Sequence, residues 1–93
     1  MMSESYSYPK AQKVQALPNY CILVDYVNGE SYIYSVLSDI NHIKAFAKLK
    51  DKEEFSKVYL TRGGMSIAWG DGDEFSDPDM DVEVPFSEGQ KVG

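Results

Sequence analysis

From Tyr20 to Tyr26 apolar side chains occupy almost every position, with Tyr20, Ile22, Val24 and Tyr26 on one face and Cys21, Leu23 and Asp25 on the other. A run apolar on both sides predicts a central strand. Val14 to Leu17, ended by the turn signal Pro18-Asn19, predicts a strand before it. After it, Asn28-Gly29 is the residue pair that a two-residue type I′ hairpin favours. The chain then returns through Glu30 to Val36, where Tyr32, Tyr34 and Val36 alternate with Ser31, Ile33 and Ser35 in the period of two of a half-buried strand.

Beyond Val36 the period changes. Ile40, Ile43, Phe46 and Leu49 recur every three residues, with Ala47 beside them, which predicts a helix of about three turns, interrupted or not, capped by Ser38 or Asp39. Asp51-Lys52-Glu53-Glu54 reads as an N-cap followed three residues later by an acid, so a short second helix should carry Phe55. Strand character resumes at Val58-Tyr59-Leu60, turns at Thr61 to Gly64, and continues through Met65 to Trp69. Asp71-Gly72 predicts another type I′ turn, with Asp73, Glu74 and Phe75 on the return strand. Asp77-Pro78 has the form of a cap and first residue of a final helical turn that Pro85 would stop.

These elements define an α+β fold: a small, largely antiparallel sheet of about five or six short strands in the order β-β-β-α-α-β-β-β, with two short helices packed on one face. Residues 1–10 are expected to be a flexible N-terminal segment, residues 11–81 one domain, and residues 82–93 a flexible acidic tail. With 93 residues, 43% of them apolar and 13% aromatic, the chain can build one core and no second domain. A single cysteine favours a reducing compartment, and no apolar stretch is long enough for a signal sequence or a membrane span, so a cytoplasmic protein is expected.

Charge alters this picture more than composition does. The net charge is −6, yet up to Trp69 eight Lys/Arg face seven acids, and from Gly70 onward Lys91 alone faces eight. The excess is thus confined to the last quarter of the chain. A field of that sign repels phosphate backbones, which argues against direct nucleic-acid binding and for a basic protein partner, a second copy of the chain being the other partner considered.

Candidate chemistry is sparse. His42 is the only histidine, without a second ligand for zinc or a nucleophile at useful spacing, and reads as a helix-surface residue. Cys21 lies in an apolar strand, where desolvation suppresses thiol reactivity, and reads as core. Asp77, Asp79, Asp81 and Glu88 have the carboxylate spacing of a calcium loop, but Val82 stands where the sharp turn needs glycine and no amphipathic helices flank the run. Paired acids for glycoside cleavage would need a sugar cleft that a domain of this size rarely has. Gly63-Gly64 and Asp71-Gly72 do not open helices and form no phosphate cradle. No catalytic residue, metal ligand or cofactor site is therefore assigned. Of the tyrosines, Tyr32 and Tyr34 suit either cross-strand packing or an aromatic interface, and Trp69 suits a core anchor.

Several motifs in order resemble the bacterial family known as domain of unknown function 2442: Ala16-Leu17-Pro18 with Tyr20, Asn28-Gly29-Glu30, Phe46-Ala47-x-Leu49-x-Asp51 with Phe55 and Val58, and Ile67-x-Trp69-x-Asp71-Gly72 with Phe75 and Pro78. Met80-Asp81 departs from the Leu-Tyr usual after the Pro-Asp step. The resemblance implies a small α+β fold without assigned activity, some of whose bearers are encoded beside a small protein in toxin–antitoxin-like pairs. Together with the charge asymmetry it leads to the expectation of a non-enzymatic protein-interaction module, an antitoxin-like neutraliser of a small basic protein. Its binding residues would be Trp69, Asp71, Asp73, Glu74, Asp77, Asp79 and Asp81 with Tyr32 and Tyr34. The alternatives are an acidic mimic of nucleic acid that blocks a nuclease or DNA-binding complex and, behind it, a metal-dependent hydrolase built on the C-terminal acids.

Overall fold

The computed structural model of the chain describes residues 8–73 and 76–92. Strand β1 (Ala11–Leu17) pairs antiparallel with β2 (Cys21–Tyr26), placing Val14 opposite Val24 and Leu17 opposite Cys21. Tyr20, expected inside the second strand, belongs instead to the 3-10 turn Pro18–Tyr20 that joins the two. Strand β3 (Ser31–Ser35) pairs antiparallel with β2, Val24 opposite Tyr32.

The Asn28-Gly29 hairpin exists, but not as a two-residue type I′ turn. Gly29 has φ +90° while Asn28 is not among the positive-φ residues. Tyr26 N–H donates to Glu30 O (2.8 Å) and Gly29 N–H to Tyr26 O (3.0 Å), so the connection is three residues long with glycine at the left-handed position. The Asn28 side chain accepts from Glu30 N–H at 2.9 Å, an Asx contact that fixes asparagine without a left-handed backbone.

The helical stripe is interrupted. Helix α1 (Leu37–His42) stops at Ile43 (φ −111°, ψ 117°), and a 3-10 segment, Lys44–Lys50, follows. Ile40, Phe46 and Leu49 are buried while Ile43 is exposed, because a spacing of three drifts round an α-helix and only the break returns Phe46 to the core. Neither Ser38 nor Asp39 caps α1: the N-cap position falls on Val36, two residues before Ser38, and carries no side-chain cap. Asp51 does cap α2 (Lys52–Phe55), accepting from Glu53 N–H at 2.9 Å.

Strands β4 (Val58–Thr61), β5 (Ser66–Trp69) and β6 (Asp79–Asp81) form a second antiparallel sheet, Leu60 facing Ile67 and Ile67 facing Met80. The tight hairpin expected at Asp71-Gly72 does not form: Gly72 has φ +100° but Asp71 is not among the positive-φ residues, residues 70–73 lie in a loop, and the pairing strand starts only at Asp79. Of the expected return strand, Asp73 lies in that loop and Glu74 and Phe75 lie outside the described residues. The pairing strand comes later because Trp69 N–H donates to Pro78 O (3.1 Å), and Asp77-Pro78 therefore leads into β6 rather than into a helical turn.

Residues 82–92 are part of the domain and not a tail. Helix α3 (Glu83–Glu88) and strand β7 (Gln90–Lys91) close against β3, Tyr32 opposite Lys91. Pro85, expected to stop a helical turn begun at Asp77-Pro78, sits instead in the first turn of α3, where a missing N–H breaks no helical bond. Val82 and Pro85 are fully buried, and Phe86 packs at 5.2 Å from Tyr26 and 5.0 Å from Tyr32.

The described residues thus make an α+β domain of seven short strands in two antiparallel sheets, ordered β1-β2-β3-β7 and β4-β5-β6. One core joins them: Ile22, Val24 and Tyr26 from the first sheet, Ile67 and Trp69 from the second, and Phe46, Leu49, Phe55 and Val82 between. Among the described residues no helix is long and apolar enough to cross a membrane.

Candidate functional site

The turn that displaced Tyr20 from its strand shapes a surface groove of about 540 Å³. One wall is the end of β1, Ala16 and Leu17, with the turn Pro18 to Tyr20; Leu37 at the start of α1 and Lys52 and Phe55 of α2 form the other. Asn19 and Tyr20 both adopt left-handed backbone, φ 64° and 61°. Asparagine tolerates this, but a tyrosine there is strained. Three contacts hold it. Its hydroxyl donates to Lys50 O, its carbonyl accepts from Val36 N–H at 2.8 Å, and its ring meets Phe55 edge-on at 5.4 Å. The wall is therefore held by contacts within the chain itself. Leu37, 40% exposed, sits at the rim, and among the described residues Lys52 is the only charged side chain on the lining.

The acids predicted to form a recognition edge are divided among different tasks. Asp71 lies 3.6 Å from Lys57, which also pairs with Glu54 at 3.4 Å, and these carboxylates, Asp71 foremost, push the Lys57 ammonium to a higher pKa. Asp77 is a clamp inside its own loop, accepting from the Tyr59 hydroxyl (2.8 Å) and from Gly72 and Asp73 N–H (3.0 Å each). The Tyr59 bond, helped by the two amides, holds its carboxyl below the usual range. Asp73 accepts from the Ser76 hydroxyl at 2.8 Å. Asp79 and Asp81 alternate with Met80 along β6, so both project from the face opposite the core. Asp79 accepts from the Ser66 hydroxyl at 3.3 Å and Asp81 from Glu83 N–H at 2.9 Å. Arg62 shares a shallow depression with both. Glu74 lies outside the described residues.

The aromatic members of the predicted set are elsewhere. Trp69 is wholly buried, its ring 5.6 Å from that of Phe46 and 6.1 Å from that of Phe55, and its indole N–H has no hydrogen-bond partner among the described residues. It anchors the core and presents no surface. Tyr32 and Tyr34 lie on β3 in the other sheet, Tyr32 donating to Glu30 at 3.1 Å and Tyr34 to Asp39 at 2.7 Å. Burial, followed by these carboxylates, raises both phenol pKa values. The structure therefore groups Asp71, Asp73 and Asp77 in one loop and Asp79 with Asp81 on one strand, with Tyr32 and Tyr34 on a strand of the other sheet. Burial raises the pKa of Tyr26, the ring partner of Tyr32, and Asp81 is near enough to help raise it.

His42 is exposed, its Nδ1 2.8 Å from Ser38 O, and Cys21 is half-buried with its Sγ 3.8 Å from Asn19 O. Among the described residues no group of three or more His, Cys, Asp or Glu is placed to hold a metal ion. What the groove can do chemically is desolvate apolar surface next to one ammonium group. Sequence reasoning passed over it, although Leu37 was a clue: an apolar residue between strand and helix that fits neither stripe. Compared with known proteins, the chain matches no family model, no curated protein and no solved structure.

Proposed function

We propose that this chain is a non-enzymatic protein-interaction module that docks its partner through the groove between the Pro18–Tyr20 turn and α2. The observation that carries this reading is the strained Tyr20, tied at hydroxyl, carbonyl and ring so that it walls an apolar hollow. Backbone strain of this kind persists only where surrounding contacts over-determine it, and it concentrates at binding sites. A preformed apolar hollow also binds with little ordering cost.

A second reading keeps a basic partner on the acidic side of the molecule, as in an antitoxin-like neutraliser. It is supported by Asp79 and Asp81, exposed on a short edge strand and, among the described residues, in no ion pair. It is weakened by Arg62 beside them and by Lys57 against Asp71.

Quantitative capture of binding proteins from the native host by the wild type, by Leu37→Asp and by Asp79→Lys/Asp81→Lys separates the two. Placing a carboxylate at the apolar rim should weaken a groove-bound partner at least about ten-fold, while the charge-reversed strand should retain it. Retention by Leu37→Asp with loss on the charge-reversed strand would transfer the function to the acidic side.

A further inference from the structure

The chain is acidic overall, yet the surroundings of the groove are not. Lys44, Lys48, Lys50 and Lys52 are all exposed along 44–52. Lys52 lines the groove, and the carbonyl of Lys50 holds the Tyr20 hydroxyl that forms its wall. Acids of the same stretch keep their charge but do not line the groove: Asp51 accepts from Glu53 N–H, Glu54 pairs with Lys57, and Glu53 is exposed. Lys48 lies close enough to Asp77 to help lower its pKa, while Lys44 and Lys50 are exposed on the same stretch and Lys52 alone of the four lines the groove. Asp39, on the neighbouring helix α1, is occupied by the Tyr34 hydroxyl at 2.7 Å.

We infer that the occupant of the groove is an acidic protein segment that inserts one large apolar side chain against Leu37 and Phe55 and sets its flanking carboxylates against Lys50 and Lys52. This deepens the interaction reading and rests on it. An apolar lining with an ammonium group at its edge complements an apolar anchor next to an anion. A basic segment meets the Lys52 ammonium at the groove itself. The net charge of −6 adds discrimination, because an acidic ligand is repelled by most of the molecule and tolerated at this patch. The volume, about 540 Å³, is that of a site for a side chain with its neighbours.

The test uses the full chain and fluorescein-labelled nine-residue peptides with a central Leu, Phe or Trp flanked by Asp/Glu, by Ser/Gly or by Lys. Fluorescence polarisation gives affinity, and backbone amide shifts give location. Acid-flanked peptides should bind best, shift Ala16, Leu37 and Phe55, and weaken at least about ten-fold with Lys50→Glu/Lys52→Glu, which should in turn prefer the lysine-flanked series. Both lysines are exposed and Lys52 opens α2, where an acid suits the helix dipole, so this variant should keep its fold, checked by the emission of buried Trp69. Equal binding of all three series overturns the charge inference and leaves the groove as an interaction site. Binding of acid-flanked peptides elsewhere, binding of none, or displacement by oligo-dT at equal affinity also overturns it. Failure of the underlying interaction reading is read separately, from survival of partner capture in Leu37→Asp.

Discussion

Gly70 and Asp77 show how closely single residues constrain the long loop that carries much of the acid. Gly70 has φ +146°, and a Cβ placed there would lie 2.0 Å from the Asp77 carboxylate that gathers Tyr59, Gly72 and Asp73. Gly72, at φ +100°, faces open space. Gly70→Ala should therefore destabilise the protein by about 1–3 kcal/mol through both backbone strain and loss of the clamp. Gly72→Ala should show only the strain, so its denaturant midpoint should fall less. Equal midpoints for the two variants would mean that the Asp77 clamp contributes nothing to stability. The carboxylates of this loop thus serve its architecture first, which is why their clustering in the sequence is a poor guide to a binding surface.

At the scale of elements, β7 is tied to β3 by an ionic clip beside its backbone bonds, while α3 is held by its buried Pro85 and by Phe86. Lys91 Nζ lies 3.1 Å from Glu30, Val92 N–H donates to Ser31 O at 2.9 Å, and the bonds from Lys91, Tyr32 and Asn28 together hold the Glu30 carboxyl below its ordinary range. A carboxylate with a lowered folded pKa stabilises the fold above its unfolded value, and that contribution disappears as pH falls through the folded value. Acidification through and below the ordinary glutamate range should therefore release β7 before the core opens. Amide exchange at Lys91 and Val92 should accelerate at a higher pH than exchange in β2, and Glu30→Gln should remove the difference; simultaneous acceleration would refute the clip. This closure was not legible in the sequence, because Val82, Val84, Pro85 and Phe86 are too few to show a period and the acids around them suggest solvent. Strands β1 to β5, the interrupted helix and the Asp51 cap were legible, since each rests on local periodicity or a local hydrogen bond. The number of sheets was not, because which strands pair is decided by the shared core. The groove was missed for a related reason: its defining feature, left-handed Tyr20, arises from contacts to Val36, Lys50 and Phe55, far along the chain.

For the whole molecule, the decisive question is whether two sheets that share no strand behave as one unit. Val24 of β2 and Trp69 of β5 are both completely buried in a single cluster that also draws on Phe46, Leu49 and Phe55. The groove straddles the same division, with one wall at the end of β1 and the other on α2, whose Phe55 stacks on Trp69. If the core couples the sheets, removing volume on one side must be felt on the other. Val24→Ala should destabilise the protein by about 1.5–3 kcal/mol from lost burial and the remaining cavity. The transition seen by Trp69 emission, which reports the second sheet, should then shift to lower denaturant by the same amount as the transition in far-ultraviolet dichroism. A Trp69 transition that stays in place while the dichroism moves would separate the molecule into two independently stable parts. The groove would then lie across a hinge, and its wall could no longer be held in register with α2 before a partner arrives.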